Sequence, residues 1–208
     1  MRFIFKKRPL FHKSYIFLIG YIPRNFQELL KNICSFNSTC KILHFSQKEN
    51  LCEIKETIGN PSSVVMIVKY NKTRRKLGII IKQNCQDISI SLNVQDFTPY
   101  FSKIFFGNAN KWSRTLFIFQ PIFDERPELR IFKLLISFFL NSKTTSVEIS
   151  PSFDHVFGFF HVNANIIFRV YQILKKKKDS TKNRPDSNFQ MIEIGPRIKF
   201  KIENFKVC

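Results

Sequence analysis

No C-x-x-C pair occurs in this sequence, and its cysteines (Cys34, Cys40, Cys52, Cys85 and Cys208) are odd in number. That usage excludes a zinc ribbon or a disulfide framework and fits reduced thiols inside a cell. A glycine-rich phosphate loop, a nucleophile elbow and a metal-ligand cluster are all missing, which speaks against an enzyme. The apolar run Ile131–Leu140 is too short to cross a bilayer. Tyr15–Ile22, preceded by Arg2, Lys6, Lys7 and Arg8, imitates a signal peptide, but no small-residue cleavage site follows. The expectation is a soluble chain that is not secreted, with chance sequons at Asn37 and Asn71. Acidic residues are scarce too: 15 Asp and Glu stand against 34 Lys and Arg, a net charge of +19. Such a surface attracts polyanions, meaning nucleic acid or acidic membrane. The 25 phenylalanines, with abundant Ile, Lys and Asn, mark an AT-biased genome, so part of the basicity is compositional.

What is present is globular. At 208 residues, 44% hydrophobic and 24% charged, the chain can hold one large domain or two small halves sharing a core. Its most regular stretch is Gln190–Phe205. Ile192, Ile194, Ile198, Phe200 and Ile202 alternate with Glu193, Arg197, Lys199, Lys201 and Glu203. This is a strand with one apolar and one wet face. Three successive cations on the wet face stand about 6–7 Å apart, suited to neighbouring phosphates. Gly195-Pro196 interrupts the run and predicts an edge, a bulge or a sharp bend. An amphipathic edge strand, with lysines that discourage aggregation, has the same pattern.

In chain order, residues 1–13 form a basic tail and Tyr15–Tyr21 a buried strand. Pro23 opens an amphipathic helix with Phe26, Leu29, Leu30, Ile33 and Cys34 on one face. Cys40–Phe45 reads as a strand and Glu49–Ile58 as a second helix. Strands Val64–Tyr70, Leu77–Gln83 and Ile88–Val94 follow. The turn between the first two carries Lys72, Arg74, Arg75 and Lys76, either for solubility or for nucleic-acid contact. Residues 95–113 connect to strand Arg114–Phe119. Asp124 can cap a helix with Leu129, Phe132, Leu135, Ile136, Phe139 and Leu140 inward. Polar loop Asn141–Ser152 precedes a hairpin, His155–Val162 and Ile166–Leu174, turning at Asn163-Ala164-Asn165. Residues 175–188 are a basic loop. The order strand, helix, strands occurs in residues 14–94 and again in 114–206. The expected fold is therefore α/β (α+β), with two similar halves within one domain spanning 14–206.

Four ordered blocks then carry a resemblance. They are Phe119–Pro127 (Phe-Gln-Pro-Ile-Phe-Asp-Glu-Arg-Pro), Phe153–Phe157 (Phe-Asp-His-Val-Phe), Ile167–Ile173 (Ile-Phe-Arg-Val-Tyr-Gln-Ile) and Ile192–Arg197 (Ile-Glu-Ile-Gly-Pro-Arg). In order and spacing they resemble the Brix-domain family of ribosome assembly factors, with the Pro121 block most like the large-subunit member. The first half fits more loosely, through Arg24–Leu30, Val64–Tyr70 and Ser113-Arg114. The resemblance implies a fold similar to paired anticodon-binding-type domains. It also implies a non-catalytic role: binding precursor ribosomal RNA beside other assembly factors in pre-ribosomal particles of the nucleolus, in a reduced nucleus if the genome is reduced. The family's RNA-associated Gly-Pro-Arg segment falls on Gly195, Pro196 and Arg197. Gln120, Ile167, Val170, Ile198 and Cys85-Gln86 depart from the family pattern, and the chain stops 11 residues past Arg197. The resemblance is therefore to a diverged, trimmed member.

Catalysis is declined. Asp154 and His155 are adjacent on a strand and point to opposite faces, so His155 reads as a packed core histidine. Asp124, Glu125 and Glu128 suit a helix's first turn without a metal. Phe105, Phe106 and Trp112 could stack on bases, but core packing is the safer expectation. Arg169, inside an apolar strand, needs either a buried carboxylate or a phosphate, and the family resemblance tips it towards phosphate. The expected RNA-binding set is Gly195, Pro196, Arg197, Lys199, Lys201, Arg169, Arg114, Arg74 and Arg75. No cofactor, metal, membrane or small-molecule substrate is expected. The alternatives are a small-subunit processing factor of the same family, a protein-docking scaffold with nonspecific RNA affinity, and an RNA-processing nuclease.

Overall fold

Runs of β-branched and aromatic residues at two-residue period supply most of the architecture. The computed structural model describes residues 13–37, 39–46, 63–74, 76–83, 88–99, 105, 114–140, 153–175 and 189–207. Its elements are β1 (Ser14–Ile19), α1 (Arg24–Ser35), β2 (Cys40–Phe45), β3 (Val64–Asn71), β4 (Lys76–Gln83), β5 (Ser89–Thr98) and β6 (Arg114–Phe119). There follow α2 (Ile122–Glu125), α3 (Pro127–Phe139), β7 (Phe153–Val162), β8 (Asn165–Lys175) and β9 (Phe189–Lys206). The expected helix Glu49–Ile58, residues 1–12 of the basic tail, the loop 141–152 and residues 176–188 lie outside the described residues.

The strands form one sheet in the order β2-β1-β3-β4-β5-β9-β8-β7-β6. β1 lies parallel to β2 and β3, and β6 parallel to β7; the remaining pairings are antiparallel. This is a mixed α/β fold. β9 sits at the centre of the sheet, bonded to β5 on one side and β8 on the other. Over Arg197–Lys201 the strand has partners on both sides, so the edge-strand alternative for Gln190–Phe205 fails there. Among the described residues, 189–193 pair with β8 alone. Gly195-Pro196 falls at the bulge between the two stretches, where a proline's missing donor is tolerated. The β8–β9 register shifts between Arg169, opposite Arg197, and Tyr171, opposite Glu193. The Gly195-Pro196 peptide is cis and Gly195 has φ +70°.

Helices α1 and α3 cover one face of the sheet. Phe26, Leu29, Leu30 and Ile33 of α1, and Leu129, Phe132, Leu135, Ile136 and Phe139 of α3, are buried as their spacing predicts. Each fully buried Phe, Leu or Ile contributes about 1.5–3 kcal/mol. The helices knit the sheet across its midline: α3 touches β3, β4, β5 and β9, and α1 touches β2 and β9. Phe132 packs at 5.8 Å from Phe159 and 6.2 Å from Phe200. At the end of α1, Phe36 packs 5.1 Å from Phe157. A buried polar knot fastens the end of α3 to the opposite half of the sheet. Ser14 Oγ donates to the Phe139 carbonyl at 2.6 Å, and Asn37 Nδ2 donates to it at 2.7 Å. Asn37 is therefore spent inside the protein, consistent with a chance sequon.

Several boundaries differ from expectation. Asp124 is not the cap of the long helix. It lies inside the short α2, Arg126 is extended, and Pro127 starts α3, where a missing N–H costs nothing. Asp124 instead pairs with Lys133 at 2.7 Å. Pro23 stands one residue ahead of α1 rather than within it. Residues 95–98, read as connector, continue β5, because β9 is there to pair with them as far as Thr98–Arg197. The β7–β8 turn is tighter than expected: Asn163 and Ala164, both at positive φ, form a two-residue connection.

Candidate nucleic-acid interface

The face of the sheet away from the helices changes character across its rows. Under β1 and β3 it is apolar, with Tyr15, Phe17, Val65 and Ile67 buried. On β9 it carries Arg197, Lys199 and Lys201, as the alternation requires. Lys199 and Lys201 are exposed, and among the described residues neither has an ion-pair partner. Arg169 on β8 lies directly opposite Arg197, and Ile167 opposite Lys199.

The two arginines are not bare. Arg197 Nε and Nη2 donate to Glu193 Oε1 and Oε2, both at 2.9 Å, and Arg169 Nη1 donates to Oε2 at 3.4 Å. In a regular strand residues 193 and 197 would be about 13 Å apart; the Gly195-Pro196 bulge brings them together. Hydrogen bonding to Glu193 holds the Arg197 guanidinium above its ordinary pKa. Of the two partners considered for Arg169, a carboxylate is the one it meets. The side chains of Arg169 and Arg197 remain 35% and 39% exposed, so both can still reach an anion.

Gly195 and Pro196 are buried and present no side-chain surface for RNA. Gly195 permits the positive φ and the approach of Phe105: an added Cβ would lie 2.5 Å from that ring. The Arg197 guanidinium stands 5.9 Å from the centre of the same ring. Phe105 therefore packs on the face opposite the helices, supporting Arg197, rather than in the main core.

The remaining expected residues are dispersed. Arg74 is exposed in the β3–β4 turn, where its N–H donates to Asn71 Oδ1 at 3.0 Å. Arg75 lies outside the described residues. Arg114 opens β6 at the sheet's edge, separated from β9 by β7 and β8, so the fold does not bring it beside the central cations. Sequence reading missed Lys69, Gly78 and Asn93. Across the sheet, Ile19, Lys69, Gly78, Asn93, Lys201 and Asn165 are successive partners in one row. Lys69 had a signal, since it continues the Val65, Ile67 alternation of β3.

His155 is a core residue, fully buried beside Phe36 and in contact with Thr115. Burial pushes its pKa down to about 4, against a smaller upward pull from Asp154. Gln120 Oε1 accepts the His161 N–H at 2.7 Å, an acceptor role that an acid could fill as well. Among the described residues no His, Cys, Asp and Glu group could hold a metal, and no helix is long and apolar enough to cross a membrane.

Taken together, fold and site define a mixed α/β protein with helices on one face of a sheet and a cationic patch on the other. The family model of the Brix domain matches residues 21–204. The chain belongs to the Brix-domain family. It is similar to the ribosome biogenesis protein BRX1 of Saccharomyces cerevisiae, 31% identical over 75% of this chain and 56% of that one. The Xenopus laevis BRX1 homolog is 31% identical over 73% of this chain and 41% of its own. The Dictyostelium discoideum homolog is 37% identical over 47% and 28%. The chain thus spans about half or less of the length of these relatives. A crystal structure of a probable ribosomal biogenesis protein from Aeropyrum pernix shares the fold, with a TM-score of 0.57 at 7% identity over 95% of this chain and 99% of that one.

Proposed function

We propose that this protein is a ribosome biogenesis factor of the large subunit. It grips precursor ribosomal RNA without catalysis, beside partner assembly factors in the nucleolus. The observation that carries this reading is the cationic row on the central strand: Lys199 and Lys201 exposed and without ion pairs among the described residues, flanked by Arg197 and Arg169. The names of the relatives, ribosome biogenesis proteins, support the setting in ribosome assembly. Contacts of this kind read phosphates and position the protein without specifying sequence. Binding should weaken steeply with salt, and the Arg197→Ala, Lys199→Ala, Lys201→Ala triple variant should flatten the salt slope by about 2–3 units. Unchanged affinity and slope would reject the site.

A second reading, a protein-docking scaffold, has one observation in its favour. Leu134, on the outer side of α3, is 40% exposed and forms an apolar groove with Ile88, Ile131 and Val207. Crosslinking in cells followed by RNA sequencing separates the two. Reads at one place in large-subunit precursor support the first reading, reads in small-subunit precursor move the role to that subunit, and scattered reads support the scaffold.

A further inference from the structure

Beside the central patch the same face opens into a groove of about 720 Å³, within the usual range of ligand sites. Its floor is Gly78, the one position in the Lys69–Gly78–Asn93–Lys201 row without a side chain. Its walls carry Lys69, Lys72, Arg74 and Lys76, and its far end is closed by Asn93 and Glu203. Asn93 Nδ2 donates to Glu203 Oε1 at 3.0 Å. Among the described residues Glu203 Oε2 and Asn93 Oδ1 remain as acceptors, suited to the N–H groups on a base edge. Tyr70 borders the groove with its ring packed towards the helix-side core, and Tyr21, 58% exposed, packs edge-on against Tyr70 at 6.1 Å, outside the groove's lining. The Lys72 ammonium stands 5.4 Å from the Tyr21 ring centre. Cations for a phosphate, a bare floor at Gly78 on which a flat base can lie and a polar end for a base edge are the complement of a nucleotide.

We propose that this groove takes one unpaired nucleotide of a single-stranded RNA segment. Its phosphate lies among Lys69, Lys72 and Arg74, and its base points towards Asn93 and Glu203. The inference rests on the RNA-binding reading above and deepens it. The Arg197–Lys201 row would hold the backbone of the adjoining RNA, and Lys201, neighbour of Asn93 in the row, joins the two surfaces. The lysines alone would be the ordinary solvated tip of a hairpin. The bare floor and the acceptor pair at the far end distinguish this place from such a tip.

Gly78 makes the test clean. An added Cβ there meets only the Lys69 carbonyl, at 3.9 Å, so Gly78→Leu fills the groove without disturbing the sheet. Binding of a labelled ten-nucleotide single-stranded RNA and of the same sequence as a duplex would be measured for wild type, Gly78→Leu and the Arg197/Lys199/Lys201 triple variant. An unfolding midpoint would be taken for each. The expected result is about a tenfold loss for Gly78→Leu on the single strand, the scale of one base contact, with less than about twofold on the duplex and an unchanged midpoint. A loss shared equally by both RNAs, or none, overturns the groove's role. Loss in the triple variant alone leaves the RNA-binding reading standing without the groove; loss in neither variant removes both. A competition arm identifies the source. Displacement of RNA by adenosine monophosphate, but not by inorganic phosphate at the same concentration, supports a nucleotide site. Equal displacement by phosphate would reduce it to an anion site and refute base recognition.

Discussion

Replacing Gly195 with alanine separates the structural from the RNA-contacting role of the Gly-Pro-Arg segment. At φ +70° a residue with a Cβ costs about 1–2 kcal/mol. The new methyl would also stand 2.5 Å from the Phe105 ring carbons, so the ring must leave its place. Removing a fully buried phenylalanine costs about 3–5 kcal/mol. Displacing this half-buried one should forfeit about 1–2 kcal/mol, giving a total near 2–4 kcal/mol. Urea unfolding of Gly195→Ala, Phe105→Ala and the double variant measures both parts. In the Phe105→Ala background only the backbone cost should remain, giving a coupling of at least about 1 kcal/mol. Equal costs in the two backgrounds would refute the steric argument, and a cost below about 0.5 kcal/mol would refute both. RNA affinity should fall only as far as Arg197 loses its support on Phe105. A loss matching that of the triple variant, in a protein of unchanged stability, would mean that Gly195 itself lies against RNA.

Glu193→Gln should release Arg169 and Arg197, lowering stability by about 1 kcal/mol or less because the pairs are partly exposed. It should raise RNA affinity and steepen the salt slope by about 0.7–0.9; weaker binding in filter or anisotropy assays would show that Glu193 organises the arginines instead. His155, held down to about 4 from 6.5, takes up its proton more readily in the unfolded chain. Stability should therefore be full above pH 6.5 and fall by about 3 kcal/mol as pH drops towards 4. Unfolding curves of His155→Gln should lack that component, and identical pH profiles would refute it. Asn37→Ala should cost about 1–3 kcal/mol through the buried bonds to the Phe139 carbonyl and Thr39. Exposed Ser35→Ala, measured alongside by thermal unfolding, should stay within about 0.5 kcal/mol.

Local pattern was sufficient where one residue's environment is set by its near neighbours. The buried faces of α1 and α3, the β7–β8 hairpin and the apolar-cationic alternation of β9 follow from periods of 3.6 and 2, which the chain carries wherever it folds. Four short blocks identified the Brix-domain family, because motif order survives substitutions such as Gln120 and Ile198. The position of β9 in the middle of the sheet was not in its own sequence, since an edge strand and a partnered strand alternate alike. Only pairing with β5, some hundred positions earlier in the chain, decided between them. The same applies to the site. Lys199 and Lys201 could be placed on a wet face from alternation alone. The capture of Arg169 and Arg197 by Glu193 depends on a bulge, the seat of Phe105 on a missing Cβ, and the groove on Lys69, Gly78 and Asn93 meeting from three strands. Sequence determined which side chains face water; the lateral register of the sheet decided which of them stand together, because strands distant in the chain are only about 4.8 Å apart once paired.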